Sequence, residues 1–76
     1  MTKLKAVAIG AGYFSQFHFD AWQRISEVEL LAICDSNLTR AEAAAKQYGV
    51  ARCYSDVAKM LDAERPDFVD IITRPD

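Results

Sequence analysis

Residues 6–20 read AVAIGAGYFSQFHFD. An apolar run meets Gly10-Ala11-Gly12 and resumes at once in an aromatic, helix-like pattern. Ala6, Val7, Ala8 and Ile9 are apolar in succession, without alternation. That predicts a strand from Leu4 to Ile9 that is covered on both faces, as in a parallel sheet. Phe14, Phe17, His18, Ala21, Trp22 and Ile25 recur at three- and four-residue steps. They predict a helix from Phe14 to about Ile25 with one packed face. Phe19 falls off that face and is expected to meet another element or a partner.

The two glycines suit a turn whose backbone must be touched by something large and negatively charged. Gly10 allows the tight turn, and Gly12 removes a Cβ from the path of a pyrophosphate. The N–H groups of Tyr13 and Phe14 open the helix, where the dipole favours an anion. Ser15 stands where G-x-G-x-x-G has its third glycine. That position serves close packing of helix on strand, so a small serine replaces it tolerably.

Downstream the pattern repeats. Val28 to Cys34, VELLAIC, reads as a second strand. Ser36 or Asn37 can cap a helix from Leu38 to Tyr48, whose Ala41, Ala43, Ala44 and Ala45 allow close approach to a sheet. Gly49 is expected to end that helix in a left-handed cap, with Val50 making the accompanying contact. Arg52-Cys53-Tyr54 reads as a short third strand. Ser55 then caps a helix with Val57, Met60 and Leu61 on one side, broken by Glu64-Arg65-Pro66-Asp67. Phe68 to Thr73 is a fourth strand. The order β-α-β-α-β-α-β is an α/β domain with a parallel sheet and right-handed crossovers.

Asp35 ends the second strand. A dinucleotide fold needs an acid there, about 20 residues after the glycines, to accept hydrogen bonds from the adenosine ribose. The bland alternative for Asp35 is a turn or capping carboxylate. A carboxylate at this point repels a 2′-phosphate, which favours NAD. Arg40 in the next helix can reach such a phosphate and keeps NADP possible.

The 76 residues carry a formal net charge of −2 and are half hydrophobic, the composition of a small globular domain. The nine Lys and Arg residues are scattered, so no basic stripe points to nucleic acid. No apolar run approaches the ~20 residues that cross a bilayer, and MTKLKAVAIGAG lacks a cleavage site after its short apolar run. The expected location is the cytoplasm, without membrane association. Cys34 and Cys53 fit neither CxxC nor a zinc spacing and are expected to be buried, reduced thiols. Among the tempting residues, His18 reads as a structural histidine on the packed helix face. Asp67 marks the start of the fourth strand. Asp70 is the polar side of a strand near an edge or pairs with a partner outside this chain. Trp22 and Tyr54 read as core or rim aromatics. No metal site is expected.

With these residues in place, the chain resembles the N-terminal part of the Gfo/Idh/MocA oxidoreductase family. The resemblance is carried by AVAIGAGYFSQFH, LLAICDSNLTRAEAAAKQYGV, YSDVAKML and PDFVDIITRPD, nearly the whole chain. It implies the first half of a Rossmann doubly wound parallel sheet, strand order 3-2-1-4, in residues 1–76. It implies that Gly10, Gly12, Tyr13 and Phe14 hold the pyrophosphate, and that Asp35, Ser36 and Arg40 hold the adenosine ribose. Thr73 would lie beside the cofactor, with Arg74 where proline is common. Family members are several times longer. Their catalytic lysine, in a Glu-Lys-Pro motif, and their substrate domain lie further along, so residues 1–76 are expected to be a partial dinucleotide-binding domain. The implied activity of the intact protein is hydride transfer between nicotinamide and a sugar or polyol.

Two other readings share the glycine turn. A nucleotide-sensing module would use it without chemistry. An S-adenosylmethionine methyltransferase usually carries an acid just before its glycines, where this chain has Ile9. An open edge on the fourth strand and a half-covered sheet face are expected to make the 76-residue chain dimeric or larger, or unstable.

Overall fold

The computed structural model describes residues 3–11 and 15–72. Seven elements alternate: β1 (Leu4–Ile9), α1 (Ser15–Gln23), β2 (Val28–Cys34), α2 (Leu38–Tyr48), β3 (Arg52–Tyr54), α3 (Val57–Glu64) and β4 (Phe68–Ile71). The four strands form one sheet in the order β3-β2-β1-β4, and all three pairings are parallel. This is the expected Rossmann-type order. Its register is regular except between Ala6 and Val7, which face Leu30 and Ala32; Leu31 is therefore the extra residue of β2.

The sheet is covered on both sides, as the unalternating apolar run of β1 requires. Ala8 and Ile33 pack against Phe19 of α1 and Ala41, Ala44 and Ala45 of α2. On the opposite face Val7, Ala32 and Cys34 pack against Met60 of α3. The alanines let α2 lie close to the strands, and the single α3 leaves Val57 and Leu61 each 37% exposed.

Helix α1 differs from its sequence reading. It ends at Gln23 because the chain tightens there: Arg24 N–H donates to Ala21 O and Ile25 N–H to Trp22 O, both at 3.1 Å. These are three-residue steps that unwind the last turn toward β2. Among its described side chains Phe19 is fully buried, while Ala21 and Ile25 are exposed. The physical reason is that α1 packs on the sheet and on α2 at once. Phe19 meets the Tyr48 ring of α2 edge-on at 5.2 Å, while Trp22 leans on Phe68 of β4 at 5.1 Å. The stripe is therefore wider than one line of three- and four-residue steps. Phe14 and the side chain of Phe17 lie outside what the structure describes.

The caps explain the other boundaries. Asn37 caps α2, its Oδ1 accepting from Thr39 N at 3.0 Å and Arg40 N at 3.4 Å. Gly49 closes the helix at φ 67°, and Val50 N–H returns to Ala45 O at 2.8 Å, a Schellman ending. Asp56, not Ser55, caps α3, since its Oδ1 accepts from Lys59 N at 3.1 Å. A carboxylate one residue nearer the helix reaches the third amide, which Ser55 does not. Arg65 ends α3 at φ 46°, where the following Pro66 disfavours a further helical residue. Strand β4 stops at Ile71, two residues before its expected end, although Ile72 N–H still donates to Ile9 O at 2.9 Å.

Candidate functional site

The C-terminal ends of β1, β2 and β3 converge on one edge of the sheet. Gly10 leaves β1 at φ 110°, and its N–H donates to Cys34 O at 2.7 Å. A Cβ on Gly10 would stand 2.5 Å from Ile72 O. The turn therefore needs glycine for two reasons, the backbone conformation and the close approach of the chain leaving β4.

Asp35 sits just past β2. Its own N–H donates to Tyr54 O at 3.0 Å, which fixes the residue against the end of β3. One carboxylate oxygen accepts from Ala11 N at 2.8 Å, and the other accepts from Asn37 N at 2.8 Å. An ionised carboxylate has about four acceptor sites, so these two bonds leave capacity for further donors. Beside it lies a cavity of about 290 Å³ lined by Ile9, Gly10, Cys34, Asp35, Ser36, Ser55 and Val57.

The site residues read from sequence divide into three groups. Gly10, Asp35 and Ser36 share the cavity wall. Arg40 stands exposed on the first turn of α2, outside that lining. Gly12, Tyr13, Phe14 and Thr73 lie outside the described residues. Ile9, Cys34, Ser55 and Val57 complete the wall without belonging to any sequence motif. Their place follows from topology: in an open parallel sheet the crevice opens at the strands' carboxyl ends, and these residues sit at or just after such ends. Cys34 is 1% exposed. Its thiol is held above its ordinary range by burial first, then by the charges of Asp35 and Asp56, which keeps it protonated. Cys53 is half-buried, and both cysteines are free thiols.

Asp70 and His18 form a separate pair. His18 Nδ1 lies 2.9 Å from Asp70 Oδ2, and Trp22 Nε1 donates to the same oxygen at 2.8 Å. Asp70 thus finds its partners within the chain and fastens α1 to β4. His18 is exposed rather than packed, because it lies on the solvent margin of the helix stripe. Asp67 is occupied elsewhere, accepting from Lys5 N at 2.7 Å, so the two acids do not converge on a common ligand.

A third cluster has no sequence motif to announce it. Glu64, at the end of α3, is 8% exposed. Arg52 donates to both of its oxygens, through Nε to Oε2 and through Nη2 to Oε1 at 2.7 Å. The Tyr54 hydroxyl donates to Oε2 at 2.5 Å. The Arg52 hydrogen bonds, helped by that of Tyr54 and opposed by burial, hold the Glu64 carboxyl below its ordinary range.

Residues 4–76 match a family described as an oxidoreductase family with an NAD-binding Rossmann fold. D-apiose dehydrogenase of Paraburkholderia graminis is 45% identical over 71 residues, covering 93% of this chain and 19% of that protein. D-glucoside 3-dehydrogenase of Escherichia coli is 38% identical over 69 residues, covering 90% of this chain and 20% of that protein. A crystal structure of an oxidoreductase from Agrobacterium radiobacter, in complex with NAD+, L-tartaric acid and magnesium, matches with a TM-score of 0.88 at 36% identity. That match covers 96% of this chain and 21% of the other. The chain spans about a fifth of the length of these relatives.

Proposed function

The chain belongs to the Gfo/Idh/MocA oxidoreductase family, with its NAD-binding Rossmann fold, and from that membership we propose that the edge around Gly10 and Asp35 holds the adenosine and pyrophosphate end of a nicotinamide dinucleotide. The observation that carries the reading is the bond between Asp35 and Ala11 N, at 2.8 Å. It sets the acid of β2 against the glycine turn of β1, beside a cavity of suitable chemistry.

In this reading Asp35 accepts hydrogen bonds from the ribose hydroxyls with its remaining lone pairs, and Ser36 supplies a neighbouring hydroxyl. Gly10 keeps the turn open, and Gly12 keeps a side chain off the pyrophosphate. The N–H groups of Tyr13 and Phe14 complete the anion site by their place in the sequence. Thr73 flanks the cofactor, and Arg40 stands near enough in sequence to answer a 2′-phosphate. The negative charge of Asp35 disfavours that phosphate, so NAD is the preferred form.

When bound, the nicotinamide accepts or donates a hydride. We propose that the protein as a whole uses it to oxidise or reduce a sugar or polyol carbon. The named activities of the relatives, on D-apiose and a D-glucoside, support that class. The lysine that handles the proton would lie outside residues 1–76. A sensing module without chemistry would present the same edge, but the dehydrogenases among the relatives favour the enzyme. The free thiols suit a reducing compartment, and we place the protein in the cytoplasm. Among the described residues no helix is long and apolar enough to cross a membrane.

Self-association is part of the proposal. Strand β4 pairs on one side only among the described residues, and Ile71 is 65% exposed. Light scattering of the purified 76-residue chain should show a concentration-dependent mass. A constant monomer overturns this.

The binding test is direct. NADH, NADPH and S-adenosylmethionine are titrated in parallel against the protein. Saturable NADH binding, tighter than NADPH and with no S-adenosylmethionine response, is expected. Failure of both nicotinamide nucleotides to bind overturns the reading.

A further inference from the structure

Strand β3 has three residues and lies at the sheet edge. It pairs with β2 only through Arg52, Cys53 and Tyr54. So short an edge strand has few backbone bonds to hold its direction. Arg52 and Tyr54 stand two apart, so their side chains project to one face, and both end on the Glu64 carboxylate of α3. An apolar residue at Glu64 would fill the space without the cost of burying a charge. It would not fix the Tyr54 phenol.

What Tyr54 controls is close to the cavity. Its carbonyl accepts the Asp35 N–H at 3.0 Å. The residues that follow it, Ser55 and Val57, form the cavity wall facing Asp35 and Ser36. One continuous line of bonds runs from Glu64 to the Tyr54 hydroxyl, from the Tyr54 carbonyl to Asp35, and from Asp35 to Ala11 N.

We propose that Glu64, clamped by Arg52, is a positioning residue that acts through Tyr54 to aim Asp35 and the β3–α3 turn at the adenosine half of the bound nucleotide. The inference rests on the dinucleotide reading of this edge. It assigns a binding role to residues that touch no part of the cavity themselves, and it confines that role to one half of the ligand. Glu64 and the Tyr54 ring need not meet the nucleotide.

The test compares Tyr54→Phe and Glu64→Gln with the unaltered protein, using NADH and AMP as probes. Tyr54→Phe keeps the ring and removes only the hydroxyl that joins the Arg52–Glu64 clamp, so it decides the matter if Glu64→Gln fails to fold. Both variants should bind NADH and AMP about threefold to tenfold more weakly, by the same factor for each probe. In an Asp35→Ala background, Tyr54→Phe should weaken AMP by a smaller factor than it does alone, because the part of the effect that runs through Asp35 is already gone. A merely structural clamp would lower the melting temperature and leave these affinities in place. AMP and NADH affinities within twofold of the unaltered protein in Tyr54→Phe overturn the proposal. So does an undiminished effect in the Asp35→Ala background. If the unaltered protein binds neither probe, the failure belongs to the dinucleotide reading, and the positioning role falls with it.

Discussion

Asp35 and Ala11, far apart in the chain, are joined by a hydrogen bond of 2.8 Å from the Ala11 N–H to the Asp35 carboxylate. The bond ties the end of β2 to the glycine turn after β1, and the Asn37 N–H holds the other oxygen at 2.8 Å. The acid is thus oriented before any ligand arrives, which reduces the ordering cost of binding.

Asp35→Ala removes both acceptors and the charge. Stability should fall by about 1.5–3 kcal/mol, the usual effect of losing a hydrogen bond to a charged group. NADH affinity should fall about tenfold or more, and NADPH affinity by less, because the repulsion of the 2′-phosphate is also lost. Denaturant melts and paired titrations check both; an unchanged NADH-to-NADPH ratio counts against the role.

Gly10→Ala should be far more damaging than Gly49→Ala. The first forces a Cβ to 2.5 Å from a backbone oxygen at φ 110°, so a loss of about 2–4 kcal/mol is expected. The second meets nothing within 4 Å, at φ 67°, and should lose only the left-handed penalty, about 1–2 kcal/mol. Equal losses in urea unfolding would contradict the packing seen at Ile72.

Asp70→Ala strips the acceptor from Trp22 Nε1 and His18 together. The partly buried indole N–H is left without its partner, which should cost about 1–3 kcal/mol. Asp70→Asn keeps an acceptor and should cost less. Trp22 is the single tryptophan, so its fluorescence reports the loosening of α1 from β4 as a red shift in Asp70→Ala.

The Glu64 clamp should weaken in acid. Its carboxyl titrates below the unfolded value of 4.5, so its contribution to stability is complete above that pH. The contribution is lost as the pH falls through the lower folded value. Glu64→Gln lacks this component. The stability gap between the two proteins, measured by urea unfolding from neutral pH downward, should narrow below about pH 4.5. A gap that stays constant would mean the carboxylate is not held by Arg52 in its charged form.

The sequence by itself determined the order of elements, the parallel sheet and the meeting of glycines with an acid. Those features rest on local physics: the unbroken apolar run of β1, the Asn37 and Gly49 ends of α2, and the glycines at a strand-to-helix junction. Only the tertiary structure decided which side of α1 is core. Phe19 owes its burial to α2 and to Ala8 and Ile33 of the sheet, neighbours that no single-helix periodicity contains. The same is true of Asp70, whose partners come from α1, and of Glu64, which reads as a chain breaker until Arg52 and Tyr54 close on it. Such pairings depend on residues far apart in sequence that meet only when the sheet forms, so no local pattern records them.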